Sequence, residues 1–182
     1  MKEVPAAQLV ILSMLSILSL SVSGAVIEHP TGSSGYIPAG ANFTLASTDS
    51  IIEYDGFRTD NYGTITLEAG STVTSFSGSS YYGHDGSSID IYGTVSHDEG
   101  HTSVLYSGGK YTGYDGSILN NNADITNYGS IEIQEGATVN GTGSYNQEQG
   151  GRIIVNGELT QDSINIEGAG YLGGSGTING NV

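Results

Sequence analysis

From position 56 onward, apolar residues recur two apart in short runs, and almost every run closes on glycine. In "GTITLEAGSTVTSF" Ile65 and Leu67 fall on one side while Thr64, Thr66 and Glu68 fall on the other, the period of two expected of a strand with one buried face. After a turn at Gly70, Val73 pairs with Ser75 and Thr74 with Phe76. "SSIDIYG" and "SIEIQEG" repeat the alternation with Ile89 and Ile91, then Ile131 and Ile133. The pattern predicts many strands of four to six residues ended by Gly or Asp-Gly, with no helical periodicity beyond the N-terminal segment. Gly, Ser, Thr and Asn saturate the chain, yet the regular spacing of Ile, Val, Leu and Tyr argues against disorder.

A second periodicity lies above the first. Residues 56–85 align with 86–115 without a gap at twelve identities in thirty. The fixed points are Gly56 and Gly86, Asp60 and Asp90, "YGT" at 62–64 and 92–94, Gly70 and Gly100, and Asp85 and Asp115. A looser third copy, "YGSIEIQEG" at 128–136, follows six extra residues around "NNNAD". A stack of rungs tolerates such an insertion by looping it outward, because each rung touches only its neighbours. In a parallel solenoid equivalent residues lie above one another about 4.8 Å apart, so self-similarity is rewarded, whereas an antiparallel meander gains nothing from it. The expectation is therefore an all-β parallel β-helix of five to seven rungs, with a β-sandwich as the alternative fold.

Composition places this domain in a compartment. Lys2 and the run "LVILSMLSILSLSV", ending in small residues at Ser23 and Ala25, read as a secretory signal peptide over 1–25, cut after Ala25. The segment is shorter than a membrane span needs, so no membrane insertion is expected beyond it. The rest divides into an N-terminal cap with first strands over 26–54 and β-helix repeats over 55–182. Only Arg58, Lys110 and Arg152 remain as fixed cations in a chain of net charge −15, which argues against nucleic acid as a partner. Cysteine is absent, so packing and backbone hydrogen bonds must hold the fold without disulfides or thiolate metal sites.

The strings "NYGSIEIQEGATVNGTG" and "YLGGSGTINGNV" resemble the passenger repeats of bacterial autotransporter adhesins and related exported β-helix surface proteins. The resemblance covers about 55–182 and implies a right-handed parallel β-helix displayed at the cell surface or secreted, serving adhesion, matrix or stalk roles. Such proteins normally continue into a translocating barrel or anchor, whereas this chain stops mid-pattern at Val182, as a truncated piece or a freely secreted relative would.

Several residues invite chemistry. His84, Asp85, His97, Asp98, Glu99 and His101 gather imidazoles and carboxylates within eighteen positions. If the thirty-residue unit is a rung, His84 lies over Tyr114 and His97 over Leu67, and the group does not converge on a metal. Asp55, Asp85 and Asp115 recur every thirty residues before glycine. Stacked, they would form a carboxylate column for Ca²⁺, the one cofactor considered; Asp-Gly turn chemistry explains both letters and is preferred. Tyr62, Tyr92 and Tyr128 precede glycine, and Tyr81 recurs with Tyr111; facing outward, Tyr81 and Tyr111 would stack on glycan rings. Asn42 in "NFT" and Asn140 in "NGT" match the N-glycosylation pattern. No catalytic residue emerges, since three scattered cations make a poor lyase and "GHDG" at 83–86 is a repeat whose partner reads "GYDG". The sequence predicts a structural or adhesive surface module, not an enzyme, with surface glycans or other surface or matrix proteins as partners. A carbohydrate-binding or polysaccharide-degrading β-helix is the alternative.

Overall fold

A computed structural model describes residues 26–182; the expected signal peptide over 1–25 lies outside the described residues. The described chain has no helix and folds as a parallel β-solenoid of about seven turns. Each turn contributes one strand to each of three stacks. The first stack holds β1 (Val26–His29), β4 (Ser50–Glu53), β7 (Thr72–Ser75), β10 (Thr94–His97), β13 (Ile118–Asn121), β16 (Thr138–Asn140) and the start of β19 (Glu158–Ile166), with β21 (Thr177–Asn181) beyond. The second holds β2 (Ser34–Ile37), β5 (Arg58–Asn61), β8 (Ser80–Gly83), β11 (Thr102–Leu105), β14 (Asp124–Asn127), β17 (Ser144–Gln147) and the end of β19. The third holds β3 (Asn42–Leu45), β6 (Thr64–Leu67), β9 (Ser88–Ile91), β12 (Lys110–Gly113), β15 (Ser130–Ile133), β18 (Arg152–Val155) and β20 (Tyr171–Gly173). All pairings are parallel, so the sandwich alternative is excluded. Residues 26–54, expected to hold an N-terminal cap and the first strands, form strands paired to the following rungs, with Val26 in register with Ser50 and Asn42 with Thr64.

The rung is not the thirty-residue repeat. Register partners lie 24 residues apart at Val26 and Ser50, 22 at Ser50 and Thr72, and 20 at Ile118 and Thr138. These lengths follow from two kinds of corner. A four-residue turn makes a strand-plus-turn unit of eight residues, as from Thr64 to Thr72, and a two-residue corner makes one of six, as from Arg58 to Thr64. Three long units give 24 residues, and one or two short ones reduce this to 22 or 20. The repeat in the sequence is instead four units, 6 + 8 + 8 + 8, or one and one-third turns. Each copy therefore begins one face further round the rod. The six extra residues before the third copy are likewise not an outward loop: they add one complete strand unit to the stack around β14.

Each corner type has its own chemistry. In most of the long turns the fourth residue donates its N–H to the first carbonyl, as from Phe57 to Tyr54 and Ser87 to His84, and the third residue is a glycine of positive φ, the demand of a type II turn. Thr48 takes that place at 46–49, and at 167–170 the positive-φ glycine is the second residue, Gly168. In three short corners an inward Asn side chain closes the bend: Asn61 Oδ1 accepts from the Gly63 N–H at 3.0 Å, Asn121 Oδ1 from the Ala123 N–H at 3.3 Å and Asn127 Oδ1 from the Gly129 N–H at 2.9 Å, whereas the corners at 92–93 and 156–157 follow Ile91 and Val155. "NYG" is thus the local signature of a two-residue corner.

Second and fourth strand positions point inward, giving a core of Leu45, Ile65, Leu67, Ile91, Leu105, Ile131, Ile133, Ile153, Val155 and Leu159. Stacked β-branched and aliphatic side chains fill the interior so closely that the cavities lined by Tyr111, Ile131 and Tyr145 are about 10 Å³ each, room for one water.

Two glycines separate backbone strain from steric fit. Gly86 and Gly108 have φ of 77° and 83°, but a Cβ at Gly86 meets open space while one at Gly108 would overlap the Asp85 carboxylate of the preceding rung. Gly86→Ala should cost about 1–2 kcal/mol, the left-handed penalty alone. Gly108→Ala should cost more, with the excess removed by adding Asp85→Ala; urea midpoints of the four chains test this, and equal costs at both glycines would contradict the packing described.

Candidate functional site

Because four units advance the chain by one and one-third turns, the thirty-residue motifs are spread round the rod. Asp55 lies at the corner between the first and second stacks, Asp85 between the second and third, and Asp115 between the third and first. The preferred Asp-Gly turn is what forms, with Gly56, Gly86 and Gly116 at φ of 72°, 77° and 79°, and the alternative carboxylate column does not. Each Asp instead seats its carboxylate over the turn glycine of the next rung, at Gly78, Gly108 and Gly136, while the Asp-Gly amides of Gly56, Gly86 and Gly116 donate to those glycines' carbonyls. Among the described residues no group of three or more metal-ligating side chains could hold an ion.

Tyr81 and Tyr111 are also displaced from their expected role. Both occupy the second, inward position of their strands and are buried, 7% and 9% exposed, so they cannot stack on a surface glycan. The Tyr81 hydroxyl accepts from Asn61 Nδ2 at 3.0 Å, and burial pushes the phenols of both well above their ordinary range. Asn42 and Asn140 are exposed.

The outward aromatic surface lies elsewhere, at the corner leaving the second stack. Tyr62, His84, Tyr106 and Tyr128 are the first corner residues of four consecutive rungs, and each donates its backbone N–H to the rung before. Their rings stack in sequence: Tyr62 on His84 at 4.0 Å and 1°, His84 on Tyr106 at 5.2 Å, Tyr106 on Tyr128 at 6.4 Å. His84 therefore sits between Tyr62 and Tyr106, not over Tyr114. Tyr92, the middle member of the "YGT" series, falls on another corner and stacks with Tyr114 at 4.3 Å. Of Tyr62, Tyr92 and Tyr128, only Tyr62 and Tyr128 share a column.

Beside this column the second stack presents Tyr36, Arg58, Asp60 and Tyr82. Arg58 grips Asp60 through two hydrogen bonds, Nε to Oδ2 at 2.6 Å and Nη2 to Oδ1 at 2.8 Å, and lays its guanidinium over the Tyr82 ring at 4.2 Å. His84 Nε2 lies 3.0 Å from Asp60 Oδ1. The guanidinium holds the Asp60 carboxyl below the usual carboxylate range, with His84 adding to the effect. The result is a fixed patch of planar groups, with ring faces largely covered by one another and ring edges and hydroxyls toward solvent. Tyr36 is the open member, 57% exposed and tilted 51° to Tyr62.

A second feature runs inside the first stack. The fourth strand position carries Glu53, Ser75, His97 and Asn121 in register on successive rungs, all buried, below the partly buried His29. Ser75 Oγ donates to Glu53 Oε2 at 2.7 Å and Thr59 Oγ1 to Oε1 at 3.2 Å. His97 stacks on His101 with ring centroids 4.2 Å apart, and Ser79 Oγ lies 2.8 Å from His101 Nδ1. His97 thus lies over Ser75 rather than Leu67, and the sequence cluster divides: His97 and His101 point inward while His84 and Asp85 do not. The signal for this seam was a polar residue two positions after an inward apolar one, as in "TVTS", "TVSH" and "ILNN".

Comparison with family models, curated proteins and solved structures finds no match to this chain. Its class rests on the fold: a parallel β-solenoid with three strands per turn. No helix among the described residues is long and apolar enough to cross a membrane.

The seam sets a pH dependence. Burial lowers the His29 and His101 imidazoles to about 4 and His97 well below its ordinary value, the last helped by His101. The unfolded chain takes up protons below about 6.5. Stability from these neutral histidines is therefore full above that pH and falls toward pH 4, by up to about 1.4 kcal/mol per pH unit for each. Glu53 opposes them: burial raises its carboxyl, so its contribution is present below the unfolded value and lost as pH rises through the folded one. Three imidazoles outweigh one carboxyl, so the thermal midpoint should drop between pH 7 and 5, and His101→Asn should flatten the drop. A midpoint constant across that range would contradict the assignment.

Proposed function

We propose that the chain is an exported β-solenoid module with a structural and adhesive role at the cell surface or in the surrounding matrix. The observation that carries this reading is the aromatic column of Tyr62, His84, Tyr106 and Tyr128, continued by Tyr36 and Tyr82. Exposed aromatic patches of this kind favour protein or matrix partners, because each ring brings apolar area and a hydroxyl at small entropic cost. The solenoid supports the same role, since it holds the patch on a backbone ladder rather than on mobile loops. The apolar run before Ala25 and the autotransporter-like repeat grammar support export and display.

The carbohydrate reading has one local support, Tyr36 beside the Arg58–Asp60 pair, an open ring next to fixed polar groups. It lacks a second free ring face, because the column's rings cover one another.

Beads coated with the chain should be retained on cell envelopes or matrix proteins, and Tyr106→Ser with Tyr128→Ser should reduce retention at least several-fold. Equal retention of the variant would move the contact surface away from this corner. No retention of either would sink the adhesive reading.

A further inference from the structure

The three outer faces of the solenoid differ in charge. The outward first and third positions of the second stack include Arg58, Asp60 and Asp124, and those of the third stack include Asp90, Lys110, Glu132 and Arg152. On the first stack Glu28 and Glu158 stand at the two ends, and the corresponding positions between them, from β4 to β16, are Ser50 and Ile52, Thr72 and Thr74, Thr94 and Ser96, Ile118 and Asn120, and Thr138 and Asn140. Ten outward side chains over five rungs carry no charge in a chain of net charge −15. None is aromatic.

These side chains form a two-dimensional array. Rungs repeat at about 4.8 Å, and outward neighbours along a strand are about 6.7 Å apart. Six of the ten are β-branched and stiff at χ1. Several are fixed further by bonds along the column, Thr72 Oγ1 to Ser50 Oγ at 2.7 Å and Asn120 Nδ2 to Ser96 Oγ at 3.2 Å. From β4 to β16 the face is therefore neutral and evenly spaced in both directions, and it carries methyls beside hydrogen-bonding groups.

Its size and chemistry select the occupant. Five rungs of four-residue strands span about 300 Å² at these spacings, well short of the roughly 800 Å² per partner of a stable protein interface. A glycan chain would find no aromatic ring to stack on. A partner that is itself neutral, periodic in two dimensions and composed only of donors and acceptors matches the array, and the surface of ice is such a partner. We infer that the outer face of the first stack binds ice, its hydroxyls and amides holding water in lattice-like positions while the methyls of Thr72, Thr74, Thr94 and Thr138 fill the spaces between. This inference is independent of the adhesive reading, which rests on a different corner and different residues.

The test uses the whole exported chain in a thin frozen film and at the surface of a single ice crystal held just below its melting point. Wild-type protein should suppress grain growth and facet the crystal. Thr74→Lys with Thr94→Lys should raise the concentration needed at least tenfold, while Thr66→Lys, an outward change on the third stack, should leave it unchanged. Circular dichroism and thermal unfolding confirm that all three chains fold. Rounded crystals and buffer-like grain growth with folded wild type would overturn the proposal. So would retention on crystalline cellulose or chitin, or a dimer by light scattering, if the double variant abolished it while ice behaviour was already absent.

Discussion

The parallel backbone ladder governs this molecule. Every strand must meet its equivalent one turn later at about 4.8 Å with its inward positions still inward. A slip of one residue would turn a strand's buried pair outward, so corners are confined to lengths that restore the register, two residues or four in most of the chain. The Asn-closed bend and the glycine-third turn are the two commonest local solutions, and rungs of 24, 22 and 20 residues follow from how two- and four-residue corners alternate, with 19 at the C-terminal end. Without cysteine, this ladder and the stacked aliphatic core carry the stability.

Much of the architecture was legible in the residues. Alternation placed Ile65, Leu67, Ile89, Ile91, Ile131 and Ile133 inside, and glycine marked the corners. The parallel solenoid followed from self-similarity. The rung itself did not, because the sequence repeats every four units whereas a turn of the solenoid closes with three. Every inference that used thirty residues as the vertical spacing consequently failed: Asp55, Asp85 and Asp115 went to three corners, and His84 found Tyr62 and Tyr106. Tyr81 and Tyr111 lack the outward role for a different reason: both take the second, inward strand position, and the missing side chain of Gly83 leaves room for the Tyr81 ring.

Polar residues inside the solenoid have two distinct physical roles. Asn61, Asn121 and Asn127 satisfy corner amides and reach across to neighbouring strands, so their burial is matched by hydrogen bonds. The seam of Glu53, His97 and His101 is less fully matched, with His97 Nδ1 and His101 Nε2 unpartnered. That difference explains why the asparagines specify geometry while the histidines make the fold sensitive to protonation. Outside, aromatic stacking at the corners contributes about 0.5–1.5 kcal/mol per pair and ties successive rungs alongside the backbone bonds of the corner residues.

The mismatch between four-unit copies and three-unit turns works like a vernier. A single added unit, such as the one around β14, lengthens the rod by a third of a turn and rotates everything after it by one face, with the register intact. A lineage of such chains could thus redistribute its surface groups among columns by gaining or losing six or eight residues, with no change to any residue in a strand. Without that unit Tyr128 would fall on the corner leaving the first stack, where Tyr54 and Phe76 stack; with it, Tyr128 joins the column of Tyr62. Surface identity in this architecture is a property of unit count as much as of the residues themselves.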